Sequence, residues 1–535
     1  MTDRPEGGRG DLAYETARRR TFAIISHPDA GKTTLTEKLL LYAGAVEMAG
    51  AVRARKHQRR ATSDWMALEQ ERGISITTTA LQFETHGHVL NLLDTPGHQD
   101  FSEDTYRTLM AVDSAVMVID SAKGLEPQTL KLFEVCRLRR LPILTFLNKL
   151  DHDGQEPLDL LDEIERVLGI AAVPMNWPIG QGVGFQGVYD LRAREVLRFE
   201  RTQHNQRRAP VVTMPLGDAR LPAELGAAAA RALRDDIALL EAAGAPFDRE
   251  AFLAGKVTPT FFGSALNNFG VERFLAALLE LAPPPSPRPS DQGPVEPTGE
   301  SFSGFVFKIQ ANMDRQHRDR MAFLRICSGR FRRDMVVHHA RLGRTVRMTR
   351  PHRLFARERE TVEEAFPGDV VGLVNPGLFA IGDTLSDGRP LRFDAIPRFE
   401  PEHFAVIRSR TVEKYKQFHR GLAQLEEEGA IQVLVAADAT QRDLMLAAVG
   451  ELQFDVVAAR LKDEYGVETA VDRLPHVAAR WISGPPEAIA AIMWPYSGAL
   501  RVRDRQGQLV AVFRAHRDLD YCMEKNPEVT FRRLG

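Results

Sequence analysis

The first half of the chain contains short apolar runs, each followed at once by a polar segment. Helix-like stretches separate several of these runs, which lie at residues 21–25, 88–93, 115–119, 142–147 and 258–262. Strand-sized apolar runs that alternate with helices are typical of an α/β domain with a mostly parallel sheet. Ligands bind at the carboxyl edge of such a sheet, where the strand ends meet. We therefore expect the polar segments to form one site.

The segment after the first run has the composition of a phosphate-binding loop. It precedes a helical pattern and consists of Ser26, His27, Pro28, Asp29, Ala30, Gly31, Lys32, Thr33 and Thr34. Backbone N–H groups and the helix N-terminus would hold phosphate oxygens. Lys32 would reach the β- and γ-phosphates, and the Thr33 hydroxyl would ligate Mg²⁺. Because Ser26 replaces the first glycine of the usual pattern, the segment alone also fits a chance Gly-Lys-Thr at a helix start.

A second segment follows the run at residues 88–93. It consists of Asp94, Thr95, Pro96, Gly97 and His98. A carboxylate at the end of a strand is well placed to hold Mg²⁺ through water. Gly97 allows its backbone N–H to approach a γ-phosphate. Taken alone, Asp94 fits an ordinary turn before proline better than it fits a metal site.

The third and fourth segments predict recognition of a base. They are Asn148, Lys149, Leu150 and Asp151 after the fourth run, and Gly263, Ser264 and Ala265 after the fifth. The Asp151 carboxylate can accept two hydrogen bonds from guanine, at N1–H and the exocyclic amine, whereas adenine offers no such pair. Lys149 would lie along the base, Asn148 would tie loops together, and the backbone N–H groups of Ser264 and Ala265 would meet a base carbonyl. Together the four segments predict a guanine-nucleotide site.

In this order the motifs resemble those of the translational GTPases, which implies hydrolysis of GTP to GDP with Mg²⁺. Residues 72–76, Arg-Gly-Ile-Ser-Ile, resemble the first switch of that family. The resemblance implies that Thr33 and Ser75 ligate Mg²⁺ directly and that Asp94 does so through water. Ser75 stands where most of the family has threonine. His98 occupies the position of the residue that orients the attacking water, although a lone histidine is more often an ordinary loop residue.

Five stretches, of which the first is the loop already described, resemble the branch of the family that acts in bacterial translation termination. They lie at residues 26–34, 63–66, 100–108, 304–314 and 450–457. This resemblance implies a GTPase that promotes the dissociation of class-1 release factors from the ribosome after peptide release. The motifs contain no evident arginine finger, so we expect slow intrinsic hydrolysis that the ribosome accelerates in trans.

The remaining sequence predicts three domains and a linker. We expect a P-loop GTPase domain at residues 1–282 with an inserted subdomain at about 155–255. The insert resembles the one that elongation factor G carries at the same place. A Pro-rich linker at 283–299, a β-barrel at 300–395 and an α+β region of one or two units at 396–535 follow. Within that last region we expect a strand at 431–435, a helix at 443–462 and a strand at 467–471. The 535 residues leave no length for the two last domains of elongation factor G, which argues against a translocase.

The charge of the chain is unevenly distributed. Its 70 Lys and Arg nearly balance its 72 Asp and Glu, which argues against a polycation. Residues 315–359, however, contain 14 Arg, no Lys and three acidic residues. Because arginine binds phosphate bidentately and stacks on bases, we expect contact with ribosomal RNA, although a solvated barrel face fits the same run. The candidate contacts are Arg330, Arg332, Arg333, Arg344 and Arg347.

Cysteine usage and hydropathy indicate a cytoplasmic protein. Cys136, Cys327 and Cys522 are far apart, and no apolar run approaches the length of a membrane span. We expect no membrane partner and a monomer. Three alternative functions stay open: another ribosomal GTPase, a binding module in which hydrolysis is incidental, and a P-loop kinase or ATPase with a small substrate. The segment at residues 148–151 argues against the last of these.

Overall fold

The computed structural model describes residues 10–45, 79–200, 210–244, 246–311, 320–355, 358–388, 390–396, 399–437 and 444–533. The predicted first switch with Ser75 and the stretch at residues 63–66 lie outside the described residues.

The N-terminal half is an α/β domain. Its strands are β1 (Arg19–Ser26), β2 (Thr79–Thr85), β3 (His88–Asp94), β4 (Ser114–Asp120), β5 (Ile143–Asn148), β6 (Ala171–Pro174), β7 (Asn176–Ile179), β8 (Gly187–Asp190), β9 (Glu195–Phe199), β10 (Val211–Pro215) and β11 (Val257–Phe262). Its helices are α1 (Leu12–Ala17), α2 (Lys32–Tyr42), α3 (Ser102–Leu109), α4 (Pro127–Leu138), α5 (Pro157–Leu168), α6 (Leu221–Leu225), α7 (Ala227–Ala243), α8 (Arg249–Leu253) and α9 (Val271–Leu281). The five apolar runs thus form β1, β3, β4, β5 and β11, as the sequence predicts.

The main sheet places β1 at its topological switch point. Its strand order is β2-β3-β1-β4-β5-β11-β6, and every pair is parallel except β2 with β3. Strand β1 is buried along its whole length, with Ala23 and Ile25 in one core and Phe22 and Ile24 in the other. Burial on both faces explains why these strands are continuously apolar. The loop after β1 therefore emerges where a ligand is expected to bind.

The predicted insert contains a separate antiparallel sheet with the order β10-β9-β8-β7. This sheet begins at Asn176. Strand β6 also lies inside the predicted bounds of the insert, but it pairs with β11 and so belongs to the main sheet. The indole N–H of Trp177 on β7 donates to Asp236 on α7 at 3.0 Å and fixes that helix to the sheet.

The next region is a curled antiparallel sheet around one apolar core, which is the predicted barrel. Core residues include Val306, Leu324 and Val371. The sheet also joins the N-terminal domain, because Phe355 pairs with Leu81 on β2. The strands of this region are β12 (Ser303–Ala311), β13 (Arg320–Ser328), β14 (Phe331–Arg332), β15 (Val336–His339), β16 (Arg344–Arg347), β17 (Pro351–Phe355), β18 (Glu358–Thr361), β19 (Glu364–Ala365), β20 (Val370–Val374) and β21 (Thr384–Ser386). Of these, β14 and β19 pair with each other in a separate two-stranded sheet.

Buried polar contacts hold the barrel against the N-terminal domain. The Asp369 carboxylate accepts from Arg19 Nε at 2.8 Å and from Gln82 Nε2 at 2.7 Å. The Pro-rich segment at residues 283–299 forms neither a helix nor a regular strand, and it packs against both domains. The Arg288 guanidinium lies 3.8 Å from the centroid of the Phe305 ring, and the Ser286 N–H donates to Asp113. These contacts make the two domains one packed unit.

The C-terminal region is one α+β unit built on a single eight-stranded antiparallel sheet. Its strand order is β25-β22-β24-β23-β27-β28-β26-β29. The strands are β22 (His403–Ser409), β23 (Gln432–Ala436), β24 (Leu444–Ala448), β25 (Thr469–Leu474), β26 (Ala478–Ser483), β27 (Leu500–Arg503), β28 (Leu509–Phe513) and β29 (Thr530–Arg532). The helices are α10 (Tyr415–Glu427), α11 (Leu452–Tyr465), α12 (Pro486–Ala490) and α13 (His516–Lys525). The α+β expectation is confirmed.

The expected helix at residues 443–462 is wrong in its first part. Leu444–Ala448 forms strand β24, which pairs with β22 on one side and β23 on the other. A short apolar run of this length fits either a buried strand or a buried helix segment, and here pairing on both sides decides for the strand. The helix begins only at Leu452, two residues after Gly450.

The described residues show no disulfide and no spanning helix. Cys136, Cys327 and Cys522 are free thiols in buried positions. Burial raises the pKa of the Cys136 thiol to about 12, which keeps it protonated and unreactive. Within the described ranges, none of the helices combines the length and the apolar character that crossing a bilayer requires.

Loss of the Asp369 carboxylate should destabilise the protein strongly. In Asp369→Ala the buried Arg19 loses this partner, and removal of one member of a buried ion pair costs about 3–5 kcal/mol. The measurement is the free energy of unfolding in urea. As a control, Asp472→Ala breaks the exposed pair with Arg408 and should cost less than about 1 kcal/mol. Equal effects of the two substitutions would contradict the account.

Candidate active site

Loops at the carboxyl ends of β1, β3, β5 and β11 surround one cavity of about 400 Å³. Its lining residues are Ser26, His27, Pro28, Asp29, Gly31, Lys32, Thr33, Thr34, Gly97, His98, Asn148, Lys149, Asp151, His152 and Leu266. Residues of the first three predicted segments therefore meet at one place. The predicted site residues that do not line the cavity are Ala30, Asp94, Thr95, Pro96, Leu150, Ser264 and Ala265.

The turn into α2 depends on glycine. Gly31 has a φ of 97°, in the left-handed region, and helix α2 begins at the next residue, Lys32. A Cβ atom at Gly31 would lie 2.2 Å from Asn148 Nδ2, so a side chain would also push apart two of the loops. The turn leaves the N-terminal end of α2 at the cavity, where its backbone N–H groups favour an anion.

Lys32 and Asp94 form a buried ion pair beneath the cavity. Lys32 Nζ lies 2.7 Å from Asp94 Oδ1, and both side chains are buried. The other oxygen, Asp94 Oδ2, is buried without a hydrogen-bond partner among the described residues. A buried carboxylate oxygen without a donor is costly, so this atom is suited to a cation or to the water of a hydrated cation.

The donors around Asp94 fit a magnesium ion bound together with phosphate. The described residues contain no group of three or more His, Cys, Asp or Glu side chains that could hold a metal ion by themselves. Magnesium is usually held by one or two protein oxygens plus waters and substrate phosphates. The Thr33 hydroxyl at the cavity and the partnerless Asp94 oxygen supply that kind of donor set.

Asn148 links the loop after β1 to the loop after β11. Its Nδ2 donates to the Ala30 carbonyl at 2.8 Å, and its Oδ1 accepts from the Ala265 N–H at 2.9 Å. Thr95 has a related role, since its hydroxyl donates to the Ile24 carbonyl at 2.6 Å and holds the loop after β3 against β1. These bonds fix the loops relative to one another.

The backbone of the fourth segment has acceptors within the protein. The Ser264 N–H donates to the Phe269 carbonyl at 3.0 Å, and the Ala265 N–H donates to Asn148. The cavity instead meets the next residue, Leu266, whose side chain is 54% exposed. Sequence reasoning missed Leu266 and His152, because a loop leucine and a loop histidine carry no motif that marks them.

Two side chains at the end of β5 offer charge to the cavity. Lys149, with a φ of 68°, lies 2.7 Å from Asp120 through its ammonium group. Burial tends to raise the pKa of Asp120, but hydrogen bonds from Lys149 and the Ala122 N–H lower it below its ordinary value. Asp151 Oδ1 is buried without a hydrogen-bond partner among the described residues. It is therefore suited to accept from a bound base.

Two of the three histidines that line the cavity, His98 and His27, differ in environment. His98 Nδ1 accepts from the Asp100 N–H at 3.2 Å, and about a quarter of its side chain, 27%, is exposed. The side chain of His27 is fully buried, with Nδ1 3.1 Å from a Glu126 carboxylate oxygen. Burial lowers the pKa of His27 below its ordinary value, although Glu126 opposes this shift. His27 is thus neutral at neutral pH.

The five candidate RNA-contact arginines fall into two groups. Arg330 and Arg332 both face Glu364, at 3.4 and 3.6 Å, and Arg333 Nη1 lies 2.8 Å from Glu363. The positive surplus of residues 315–359 is thus reduced by acidic residues that follow directly in sequence.

Arg344 and Arg347 form the second group. They lie exposed on β16, at the edge of the sheet, and have no ion-pair partner among the described residues.

Comparison with known families agrees with the fold and the site. Residues 17–284 match the elongation factor Tu GTP binding domain, and residues 301–388 match elongation factor G domain 2. Residues 393–523 match the class II release factor RF3 C-terminal domain. In fold, the chain is similar to the crystal structure of ttk003000868 from Thermus thermophilus. That likeness has a TM-score of 0.68 at 22% identity and covers 88% of this chain and 71% of the other. The fold and the site define a GTPase of the translation-factor class.

Curated relatives narrow this class. The chain is 57% identical over 525 residues to peptide chain release factor 3 of Gloeobacter violaceus, covering 98% of this chain and 99% of the relative. It is 55% identical over 521 residues to peptide chain release factor 3 of Cyanothece sp., covering 97% and 96%. The chain belongs to the peptide chain release factor 3 family. The expected GTPase and its termination branch are therefore confirmed.

Stability should fall in mild acid through His27. Because the folded-state pKa of His27 lies below its ordinary value, the unfolded chain binds a proton more readily as the pH falls below about 6.5. His27→Gln should reduce the loss of unfolding free energy between pH 7.5 and 5.5, by at most about 1.4 kcal/mol per pH unit. The measurement is urea unfolding at both values. Identical losses in the wild type and the variant would contradict this assignment.

Proposed function

We propose that the chain is a ribosome-stimulated GTPase that promotes the dissociation of class-1 release factors after peptide release. One observation carries the proposal. A member of the peptide chain release factor 3 family, matched over 99% of its relative from Gloeobacter violaceus, brings its strand-end loops together at a single cavity. The reaction is GTP plus water to GDP plus phosphate. The site lies at the carboxyl edge of the main sheet, where ligands of such sheets bind.

Electrostatic stabilisation is the main task of the loop after β1. Lys32 would exchange its contact with Asp94 for the β- and γ-phosphate oxygens, and the N-terminal amides of α2 would bind the same charge. Thr33 and Asp94 would hold Mg²⁺, with Ser75 as a further ligand that stays a prediction. When bound, the ion would neutralise charge that develops on the phosphates. The remaining proposed GTP contacts are those that the sequence predicts at residues 26–31, 34, 95–98 and 148–151. Ser264 and Ala265, whose N–H groups donate within the protein, would instead hold the loop beside the base.

Selection of guanine is assigned to Asp151. Its partnerless buried oxygen can be satisfied by the N1–H and exocyclic amine of guanine, and adenine leaves it unpaired. Asp151→Asn should therefore weaken GTP binding at least about 100-fold and improve xanthosine triphosphate binding, since the amide N–H₂ can donate to the second xanthine carbonyl. Competition of both triphosphates against a fluorescent GDP measures this exchange. Unchanged GTP affinity in the variant would contradict the role of Asp151.

His98 is proposed to orient the attacking water. It lines the cavity beside Gly97, and its Nδ1 bond to the Asp100 N–H leaves Nε2 for a water molecule. Hydrolysis by this class depends on positioning the nucleophile more than on covalent chemistry. His98 therefore acts on the water and not on nucleotide affinity.

His98→Ala should lower ribosome-stimulated hydrolysis at least about 100-fold, while the affinity for GDP changes less than about twofold. The assay is GTP turnover with and without ribosomes. A variant that loses nucleotide binding instead, or that hydrolyses GTP at the wild-type rate, would refute the role.

The ribosomal surface is proposed to include the edge strand β16. Arg344 and Arg347 have the exposure and the free charge that phosphate contacts need, whereas Arg330, Arg332 and Arg333 face acidic neighbours. We expect the protein to work as a cytoplasmic monomer.

The double variant Arg344→Ala/Arg347→Ala should weaken ribosome affinity and reduce its salt dependence by about one to two units of log–log slope. The matched control is Arg231→Ala/Arg234→Ala on α7, which also removes two exposed arginines. An equal change in both double variants would contradict a specific contact at β16.

A termination assay tests the function as a whole. Ribosomes that have released their peptide and still hold a fluorescent class-1 release factor are mixed with the protein and either GTP or ATP. Faster dissociation of the factor with GTP, and no acceleration with ATP, is expected. Stimulated GTP hydrolysis without any effect on dissociation would assign the chain a different ribosomal task.

A further inference from the structure

Asp100 joins the candidate active site to the C-terminal domain. It lies in the short 3₁₀ helix Gln99–Phe101, directly after the segment that ends in His98. Its Oδ2 accepts a hydrogen bond of 2.7 Å from the N–H of Leu452, the first residue of α11. A carboxylate at that end of a helix interacts favourably with its dipole and with an otherwise unpaired N–H.

The same residue holds the ring of His98. The Asp100 N–H donates to His98 Nδ1 at 3.2 Å, and the carboxylate oxygen Oδ1 lies 3.4 Å from that nitrogen. Asp100 is only 7% exposed. One buried side chain therefore contacts both the proposed catalytic histidine and the start of α11.

The fit around Asp100 is tight on the side of the C-terminal domain. A Cβ atom at Gly450 would lie 2.2 Å from Asp100 Cγ and 2.6 Å from its Cα, and the second of these is backbone. The glycine therefore permits the close approach of the two segments. A methyl group at this position would force Asp100 away from the N-terminus of α11.

Two neighbouring contacts dock the same part of the GTPase domain. Phe101 packs against Val456 and Leu452 of α11. Farther along α3, the Arg107 guanidinium donates to the carbonyls of Glu428 and Gly429 at 3.3 Å. The C-terminal domain thus contacts the segment that follows His98 at its start and near the end of α3.

We propose that Asp100 is a positioning residue for GTP hydrolysis, through which docking of the C-terminal domain sets the orientation of His98. This inference rests on the proposed role of His98. It assigns the C-terminal domain a part in hydrolysis, because displacement of α11 would remove the Leu452 N–H that holds the Asp100 carboxylate. The barrel is attached through Asp369 and Arg19, and it also reaches α3, where Lys308 Nζ lies 3.1 Å from Asp104. Among the described residues, however, His98 forms its hydrogen bond and its close charged contact with Asp100 and not with the barrel.

Two substitutions, one in each domain, test this coupling between the C-terminal domain and His98, which we call the relay. Asp100→Ala removes the carboxylate, and Gly450→Ala displaces it without altering any group of the GTPase domain. Asp100→Asn keeps the shape of the side chain and replaces the alanine variant if that one fails to bind GDP. The matched control is Asp472→Ala, which removes an exposed carboxylate from the same C-terminal domain.

The measurement is single-turnover GTP hydrolysis by the full-length protein at increasing ribosome concentrations. Asp100→Ala and Gly450→Ala should each lower the maximal rate about tenfold or more, while the half-saturating ribosome concentration and the GDP affinity stay within about twofold of wild type. Asp472→Ala should match the wild type. A purely structural contact would raise the half-saturating concentration or weaken GDP binding instead, and that result would overturn the proposal.

Combination with His98→Ala separates this inference from the proposed function. If Asp100 acts through His98, then Asp100→Ala adds no further loss in the His98→Ala background. If Asp100→Ala lowers the rate as much in the His98→Ala background as in the wild type, Asp100 does not act through His98 and the proposal is overturned. It is also overturned if His98→Ala is inactive while Asp100→Ala and Gly450→Ala both keep the normal maximal rate. Wild-type hydrolysis by His98→Ala itself would refute the proposed role of His98, and the relay with it.

Discussion

The buried ion pair between Lys32 and Asp94 is the interaction on which the site depends. Its members come from the start of α2 and the end of β3, so the pair holds two loops at the cavity. Each charge is stable in a buried place only while the other compensates it. If a phosphate binds Lys32, the buried Asp94 carboxylate loses its partner and needs a cation in its place. The Thr33 hydroxyl and the partnerless Asp94 oxygen would both hold that cation. Anion and cation are thus expected to bind together.

Other contacts hold these loops and the barrel in place, and the C-terminal domain makes its contact beside His98. Asn148 ties the first loop to the fourth, and Asp369 fixes the barrel to the GTPase domain through buried hydrogen bonds. The C-terminal domain instead meets the chain directly after His98, through the N-terminus of α11. A rigid attachment on one side and a contact beside His98 on the other allow the domains to have different parts in the reaction.

Much of this could be predicted from the sequence, because buried parallel strands must be continuously apolar and their ends must meet. That logic located the strands before Ser26, Asp94 and Asn148 correctly. It failed where pairing with distant strands decides the secondary structure. Leu444–Ala448 is a strand because it pairs with a strand on each side. The same logic also missed Leu266 and the acidic partners of Arg330, since neither cavity walls nor ion pairs across strands leave a local pattern.

A crystal structure with Mg²⁺ and a non-hydrolysable GTP analogue tests the central claim most directly. The account predicts that Lys32 Nζ leaves Asp94 Oδ1, now 2.7 Å away, for the β- and γ-phosphate oxygens. Asp94 should then face Mg²⁺ through water, with Asp151 accepting from N1–H and the exocyclic amine of guanine. An intact Lys32–Asp94 pair, with the nucleotide bound outside the cavity formed by these loops, would contradict the account.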